Sequence, residues 1–279
     1  MRPTDPMTTR RPGCSVSADH PVDVSSRRPV SLPEVLARAA QLVRVDRKYL
    51  LPVASAQQLV DRLPEDFRLL TFDGRRSTTY RSTYFDTADL GTARAHVQRR
   101  RRRWKARSRL YVEDGLCRVE VKTKDGRGVT IKSVADSTVE GYAVLGPDEG
   151  SFVEDALRGQ GISCDLTRLG PTMEVDYRRA TLASLGDAPA RVTIDWGMTC
   201  VLGDRGLQLD RGHVLVETKG GAVPGQADRL LARIGARPRP FSKYAAAASL
   251  LVDDLPDNDV RRLRGRLLHV LGETERLSA

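Results

Sequence analysis

The sequence predicts an α+β fold in which antiparallel strands close into a barrel with a polar interior, with helices packed outside. Three observations carry this. Strand-like segments follow one another through tight turns with little helix between them, which excludes a doubly wound parallel sheet. Six of these segments place Arg, Lys and Glu at dense alternation on one face and apolar residues on the other. The chain has 279 residues, of which 40% are hydrophobic, enough to bury a large core and to exclude wholesale disorder.

The elements are expected in the following order. Residues 1–30, rich in Arg, Pro and Ser, read as a disordered tail, 31–255 as the folded domain, and 256–279 as a C-terminal amphipathic helix. Within the domain, 33–43 is an amphipathic helix with Pro33 near its start. Residues 44–51 alternate as a strand, and Ser55 caps a helix over 55–63. A strand over 79–85 precedes a helix over 87–97 capped by Thr87 or Asp89. The basic run 99–109 enters a strand, and Glu113-Asp114-Gly115 turns it into a second over 116–124. Asp125-Gly126-Arg127-Gly128 turns into a third over 129–132. A helix is expected over 152–159, then strands over 172–182, 190–195, 199–202 and 212–219. Helices follow over 227–234 and from Pro240 and Ser242 to Leu251, and the last over 257–271.

The faces carry the functional signal. They group Lys105, Arg107, Arg109 and Tyr111; Arg118, Glu120, Lys122 and Lys124; and Glu174, Asp176 and Arg178. They also group Arg191, Thr193 and Asp195; His213, Leu215, Glu217 and Lys219; and Asp46 with Lys48. One such strand is an ordinary half-exposed strand. Six together repel themselves unless something organises them, and a polar barrel interior holding a polyanion does so. A few carboxylates among the cations suit a divalent metal that bridges phosphate oxygens.

Composition narrows the partner. The formal net charge is +10, and residues 99–109 hold eight positive charges and no negative one, so the charge is local. Aromatic residues make up 5%, which argues against a base-stacking nucleic-acid surface. Arg outnumbers Lys 39 to seven, a bias expected of a GC-rich bacterial genome. The seven, Lys48, Lys105, Lys122, Lys124, Lys132, Lys219 and Lys243, therefore mark places where a compact ammonium matters. Cys14, Cys117, Cys164 and Cys200 show no metal or disulfide spacing, and His20, His96, His213 and His269 are equally scattered. No segment reads as a membrane span or a signal peptide, and the expectation is a cytoplasmic protein. Neither a P-loop nor a dinucleotide fingerprint is present.

Seven short motifs in order complete the reading. They are Asp46-Arg47-Lys48-Tyr49, Tyr84-Phe85-Asp86-Thr87, Lys105-x-Arg107-x-Arg109-x-Tyr111, Glu120-Val121-Lys122-x-Lys124, Arg191-Val192-Thr193-Ile194-Asp195, Val216-Glu217-Thr218-Lys219 and Ser242-Lys243-Tyr244. Over about residues 40–252 this order resembles the VTC domain, the catalytic domain of polyphosphate polymerases within the triphosphate tunnel metalloenzyme (CYTH-like) superfamily. One departure is Asp46, where the family usually has Glu. The phosphate-sensing SPX domain and the membrane helices of the eukaryotic complex have no counterpart in the sequence, so vectorial export of product is not expected.

The resemblance implies an eight-stranded antiparallel tunnel. It implies catalytic roles for Lys48, Arg107, Arg109, Lys122 and Lys219, and phosphate binding by Lys105, Lys124, Lys132, Arg178 and Lys243. Glu217 is the implied principal ligand of Mg²⁺ or Mn²⁺, with Glu120, Glu174 and Asp195 as helpers. The expected reaction moves the γ-phosphoryl group of ATP or another nucleoside triphosphate onto polyphosphate. Two alternatives stay open: hydrolysis of tri- or nucleoside triphosphate on the same fold, and a non-catalytic polyphosphate-binding module. The extra cations at 99–103 suit a long product at the tunnel mouth.

Overall fold

The computed structural model describes residues 20–38, 45–186 and 190–272. Strands β1 (Pro29–Val30), β2 (Val45–Pro52), β3 (Phe67–Leu70), β4 (Thr78–Asp86), β5 (Arg103–Tyr111) and β6 (Leu116–Lys124) come first. They are followed by β7 (Thr130–Ser137), β8 (Gly170–Ser184), β9 (Arg191–Leu202), β10 (Arg205–Leu209), β11 (His213–Gly220) and β12 (Leu268–Leu271). The helices are α1 (Leu32–Arg38), α2 (Val53–Arg62), α3 (Gly91–Val97), α4 (Pro147–Arg158), α5 (Gln226–Arg233) and α6 (Lys243–Leu251).

Turn chemistry fixes most of the connections. Gly115, at φ 57°, ends the short 3-10 turn between β5 and β6 in the left-handed region that only glycine enters cheaply. Strand alternation then sets the register, with Lys105 opposite Lys122 and Arg107 opposite Glu120.

Eight strands run in the order β2–β11–β9–β8–β4–β5–β6–β7, every neighbouring pair antiparallel. The expected hydrogen-bonded closure is not found. Among the described residues β2 pairs only with β11 and β7 only with β6, so the fold is α+β with an antiparallel sheet that hydrogen bonds between described residues do not close. It curls nonetheless: Lys48 on β2 and Lys105 on β5 both reach the adjoining residues Phe241 and Ser242.

Two core clusters sandwich the sheet. Tyr49, Leu51, Ile194, Trp196, Val214 and Val216 face outward and pack under α2 and α5. Met173, Val175, Met198 and Cys200 face inward and pack against Ala246, Ala247 and Leu250 of α6. Each such fully buried aliphatic side chain contributes about 1.5–3 kcal/mol. The inner face is therefore divided, with one end filled by α6 and the rest left to charged residues.

Three other expectations change. The segment expected as two strands over 190–195 and 199–202 forms one, β9 (Arg191–Leu202), continuing through a bulge at Gly197 (φ 59°). The expected helix over 257–271 is a 3-10 turn (Arg261–Leu263) followed by β12, which pairs with β10. Gly265 at φ 70° interrupts any helix there, while Val260, Leu263 and Leu268 are buried in the core. Residues 20–30 of the expected tail are also packed. Val22 and Val24 are buried beside α2, held by reciprocal hydrogen bonds between the Asp23 backbone and Gln57. Positions 1–19 and 273–279, with the rest of the expected tail and terminal helix, lie outside the described residues, as do 39–44. Among the described residues no helix is long and apolar enough to cross a membrane.

Candidate functional site

The inner face carries two charged groups, one from each half of the sheet. On β5–β7, Glu120 is buried and gathers three cations. Arg107 donates to its Oε2 at 2.8 and 2.5 Å, Lys132 donates to its Oε1 at 2.8 Å, and Arg109 stands 3.6 Å from Oε1. Burial opposes ionisation of Glu120, but these cations outweigh it and hold its carboxyl far below the usual range. On β8, β9 and α6, Asp195 is fully buried and accepts from Arg179 at 2.6 and 2.8 Å and from Lys243. Its ionisation is likewise opposed by burial and held down by Arg179 and Lys243.

Glu217 on β11 is different. It lies opposite Lys48 on β2, and its nearest ion-pair partner is Lys219 at 3.5 Å. No guanidinium chelates it among the described residues. Burial works against its charge, yet Lys219, Lys48, Arg179 and Lys243 keep its pKa well below normal.

The segment from Phe241 to Tyr244 joins the two halves. Lys48 Nζ donates to the Phe241 carbonyl at 2.8 Å, and Lys105 Nζ donates to Ser242 Oγ at 3.2 Å. Lys243 reaches Asp195, and the Tyr244 ring stacks on Tyr84 at 4.3 Å. The Tyr84 hydroxyl in turn accepts from Arg107 at 2.8 Å. Tyr244 donates to Asp86, a buried carboxylate that also accepts from the backbone of Thr92 and Ala93 and so caps α3. This explains why Tyr84-Phe85-Asp86-Thr87 and Ser242-Lys243-Tyr244 belong to one constellation: they lock α6 against α3 and set the floor of the charged space.

Charge is not balanced within that space. Burial and the nearby cations Lys48, Arg107, Lys122 and Lys243 push the Lys105 pKa well below its usual value, and no carboxylate pairs with it among the described residues. Burial, with Lys243 and Lys122, takes Lys48 down to about 8 despite Glu217. Lys122 is exposed and Lys124 half-buried on the same face.

Most expected residues are thus brought together: Lys48, Lys105, Arg107, Arg109, Lys122, Lys124, Lys132, Lys219, Lys243, Glu120, Asp195 and Glu217. Two are not. On β8 the inner face is formed by Val175, Tyr177 and Arg179, so Glu174 and Arg178 point the other way. Glu174 is exposed there, and Arg178 pairs in register with outward-facing Thr79. The member missed from sequence is Arg179, which stacks over Tyr80 and Tyr177 at 5.2 Å from each and chelates Asp195. Tyr177 and Tyr80 lie stacked beneath it at 5.2 Å.

Residues 43–252 match the family model of the VTC domain. The chain belongs to the VTC domain family. On β8 it is Arg179, and not the expected Arg178, that lies on the inner face. No curated protein matches the chain. Among solved structures it is similar to a candidate adenylyl cyclase from Hippeastrum reported to have a dominant triphosphatase activity (16% identity, 78% of this chain and 100% of that one, TM-score 0.44). It is also similar to a candidate adenylate cyclase from Bacillus halodurans (15%, 72% and 94%, TM-score 0.42) and to the PH1819 protein of Pyrococcus horikoshii (12%, 72% and 93%, TM-score 0.40).

The donor set limits how a metal could be held. Among the described residues no three His, Cys, Asp or Glu side chains come together, so the protein alone forms no cage. Glu120 and Asp195 are each occupied by an arginine and a lysine. Glu217 remains, and one carboxylate completed by phosphate oxygens is a binding mode that Mg²⁺ favours.

Proposed function

We infer that this chain is a phosphotransferase. It holds the phosphates of a nucleoside triphosphate on the inner cations and passes the γ-phosphoryl group to the end of a polyphosphate chain. The observation that carries the reading is the facing of Lys48, Lys105, Lys122, Lys219 and Lys243 across one space with too few carboxylates to neutralise them. A polyphosphate is the natural counter-charge, and membership of the VTC domain family supports the same substrate class.

Each residue then has a role. Lys105 and Lys48, tethered to Ser242 and Phe241, present ammonium groups of fixed position to non-bridging oxygens. Arg107 and Arg109, anchored by Glu120, and Arg179, anchored by Asp195, are already oriented, so little reorganisation is needed as charge shifts in the transition state. Mg²⁺ or Mn²⁺ held by Glu217 would neutralise charge on the phosphate oxygens. The acceptor is an ionised terminal phosphate, which needs no general base, so catalysis rests on positioning and electrostatics.

The test is ³¹P NMR of the pure protein with ATP and Mn²⁺. The expected result is growth of internal-phosphate resonances. Orthophosphate alone would assign a triphosphatase, and tight polyphosphate binding without turnover a binding module. Lys219→Ala and Glu217→Ala are each expected to abolish turnover with an unchanged circular dichroism spectrum, and wild-type rates in either would overturn the assignment.

A further inference from the structure

The run of arginines at 99–103 is only partly absorbed by the inner face. Lys105 points inward, and Trp104, one position earlier on β5, points outward beside the core cluster under α4. On that outer side Trp104 lines a recess of about 490 Å³, a size suited to a small molecule. Its other walls are the start of α3 (Gly91, Thr92), the run Arg100, Arg102 and Arg103, and the segment carrying Ile162, Ser163 and Arg168.

The arginines here are arranged differently from their neighbours. Arg94 and Arg99 are neutralised, by Asp254 at 2.8 Å and Asp259 at 2.6 Å. Arg100, Arg102, Arg103 and Arg168 form no ion pair among the described residues; Arg100 donates to Gln98 and Arg103 to the Arg100 carbonyl. The one carboxylate in the recess, Asp165, is exposed and already accepts from Thr167 at 3.1 and 2.6 Å. The Arg102 guanidinium is seated against Gly161, where a Cβ would come within 3.5 Å of it.

We propose that this recess is a second binding site, outside the charged inner face, for a nucleotide whose ring lies on Trp104 and whose phosphates are held by Arg102 and Arg168. Guanidinium forks match phosphate oxygens, and an indole wall matches a flat base, whereas a bare inorganic chain would leave Trp104 and Ile162 unused. The site lies across β5 from Lys105 and stands independently of the reading of the inner face.

The test uses Trp104 as reporter in the full chain carrying Lys219→Ala, which weakens the inner site. Trp196, the other tryptophan, lies in a different core cluster, and its signal is subtracted with a Trp104→Phe protein. ADP is expected to give a saturable change in Trp104 fluorescence, and adenosine none. In Arg102→Glu/Arg168→Glu the ADP affinity should fall about tenfold or more, from lost charge-assisted bonds and added repulsion. Tripolyphosphate should compete only weakly. The proposal is overturned by no saturable change, by unchanged ADP affinity in the double variant, or by tripolyphosphate binding as tightly as ADP. Because Trp104 reports binding and not turnover, failure here leaves the ³¹P NMR experiment standing.

Discussion

Glu120 and Glu217 are both buried carboxylates on the inner face, and their surroundings assign them different work. Glu120 is the counter-ion of Arg107, Arg109 and Lys132, so removing its charge leaves a cluster of like charges with nothing between them. Glu120→Gln is expected to lower stability by about 3–5 kcal/mol, the cost of breaking a buried pair from one side. Urea unfolding checks this. Added tripolyphosphate should restore most of the loss, because it supplies the missing negative charge. Glu217→Gln removes a charge that no guanidinium chelates but that Lys219 and Lys48 stabilise, so its unfolding midpoint should fall by less than that of Glu120→Gln while turnover is lost. Equal destabilisation in both variants would show that Glu217 is also a structural counter-ion. The residues of β5 and β6 were legible in the sequence because only one of their faces is charged. Those of β8 were not. Arg178 and Arg179 are adjacent, so each face of the strand offers a cation, and alternation alone does not tell which face is inside. The inner face of β8 is moreover apolar at Met173 and Val175, where α6 covers it, a fact that belongs to packing and not to pattern.

At the scale of elements, α6 is what turns a curled sheet into a site with a floor. Its alanines let the helix sit close against Met198 and Cys200, and its first turn fixes Lys243 and Tyr244. The Tyr244 hydroxyl bonds the buried Asp86, which also holds the first amides of α3. Tyr244→Phe keeps the ring stack on Tyr84 and removes only this donor, leaving a buried carboxylate oxygen short of a partner. A loss of about 1–3 kcal/mol is expected by urea unfolding. No loss would mean that the donors from Thr92 and Ala93 satisfy Asp86 without it. The bulge at Gly197 is the second device at this scale. It slips β9 by one residue, so that Asp195 and Met198 share the inner face although they are three apart in sequence. A Cβ at Gly197 meets no atom within 4 Å, so Gly197→Ala isolates the cost of its left-handed backbone, about 1–2 kcal/mol. The sequence hid this bulge as a break between two short strands. It hid β12 behind an Arg-rich helical pattern, because pairing with β10 and burial of Leu268 outweigh local preference.

For the molecule as a whole, the charge that suits the inner face to an anion works against the fold while no anion is there. Lys48 shows the sign. Its pKa lies near 8 in the folded chain because burial and the neighbouring Lys243 and Lys122 penalise its charge, against an ordinary value of 10.5. Between these values the unfolded chain binds more protons than the folded one, so stability must rise with pH across that window. Below about pH 8 both states carry the proton and the penalty is fully present. Buried phenols act in the opposite sense at higher pH: Tyr80, raised by burial to about 12, keeps its proton in the fold after the unfolded chain has lost it. The measurement therefore belongs between about pH 7.5 and 9.5. There the melting temperature of the ligand-free protein should climb with pH, and Lys48→Met should flatten the climb. Tripolyphosphate should reverse the slope of its own effect, giving its largest increase in melting temperature near pH 7, where the lysines are charged, and a smaller one as they lose their protons. A ligand-free melting temperature that falls across the window, or a tripolyphosphate increment that grows with pH, would contradict an inner face built of cations awaiting a polyanion.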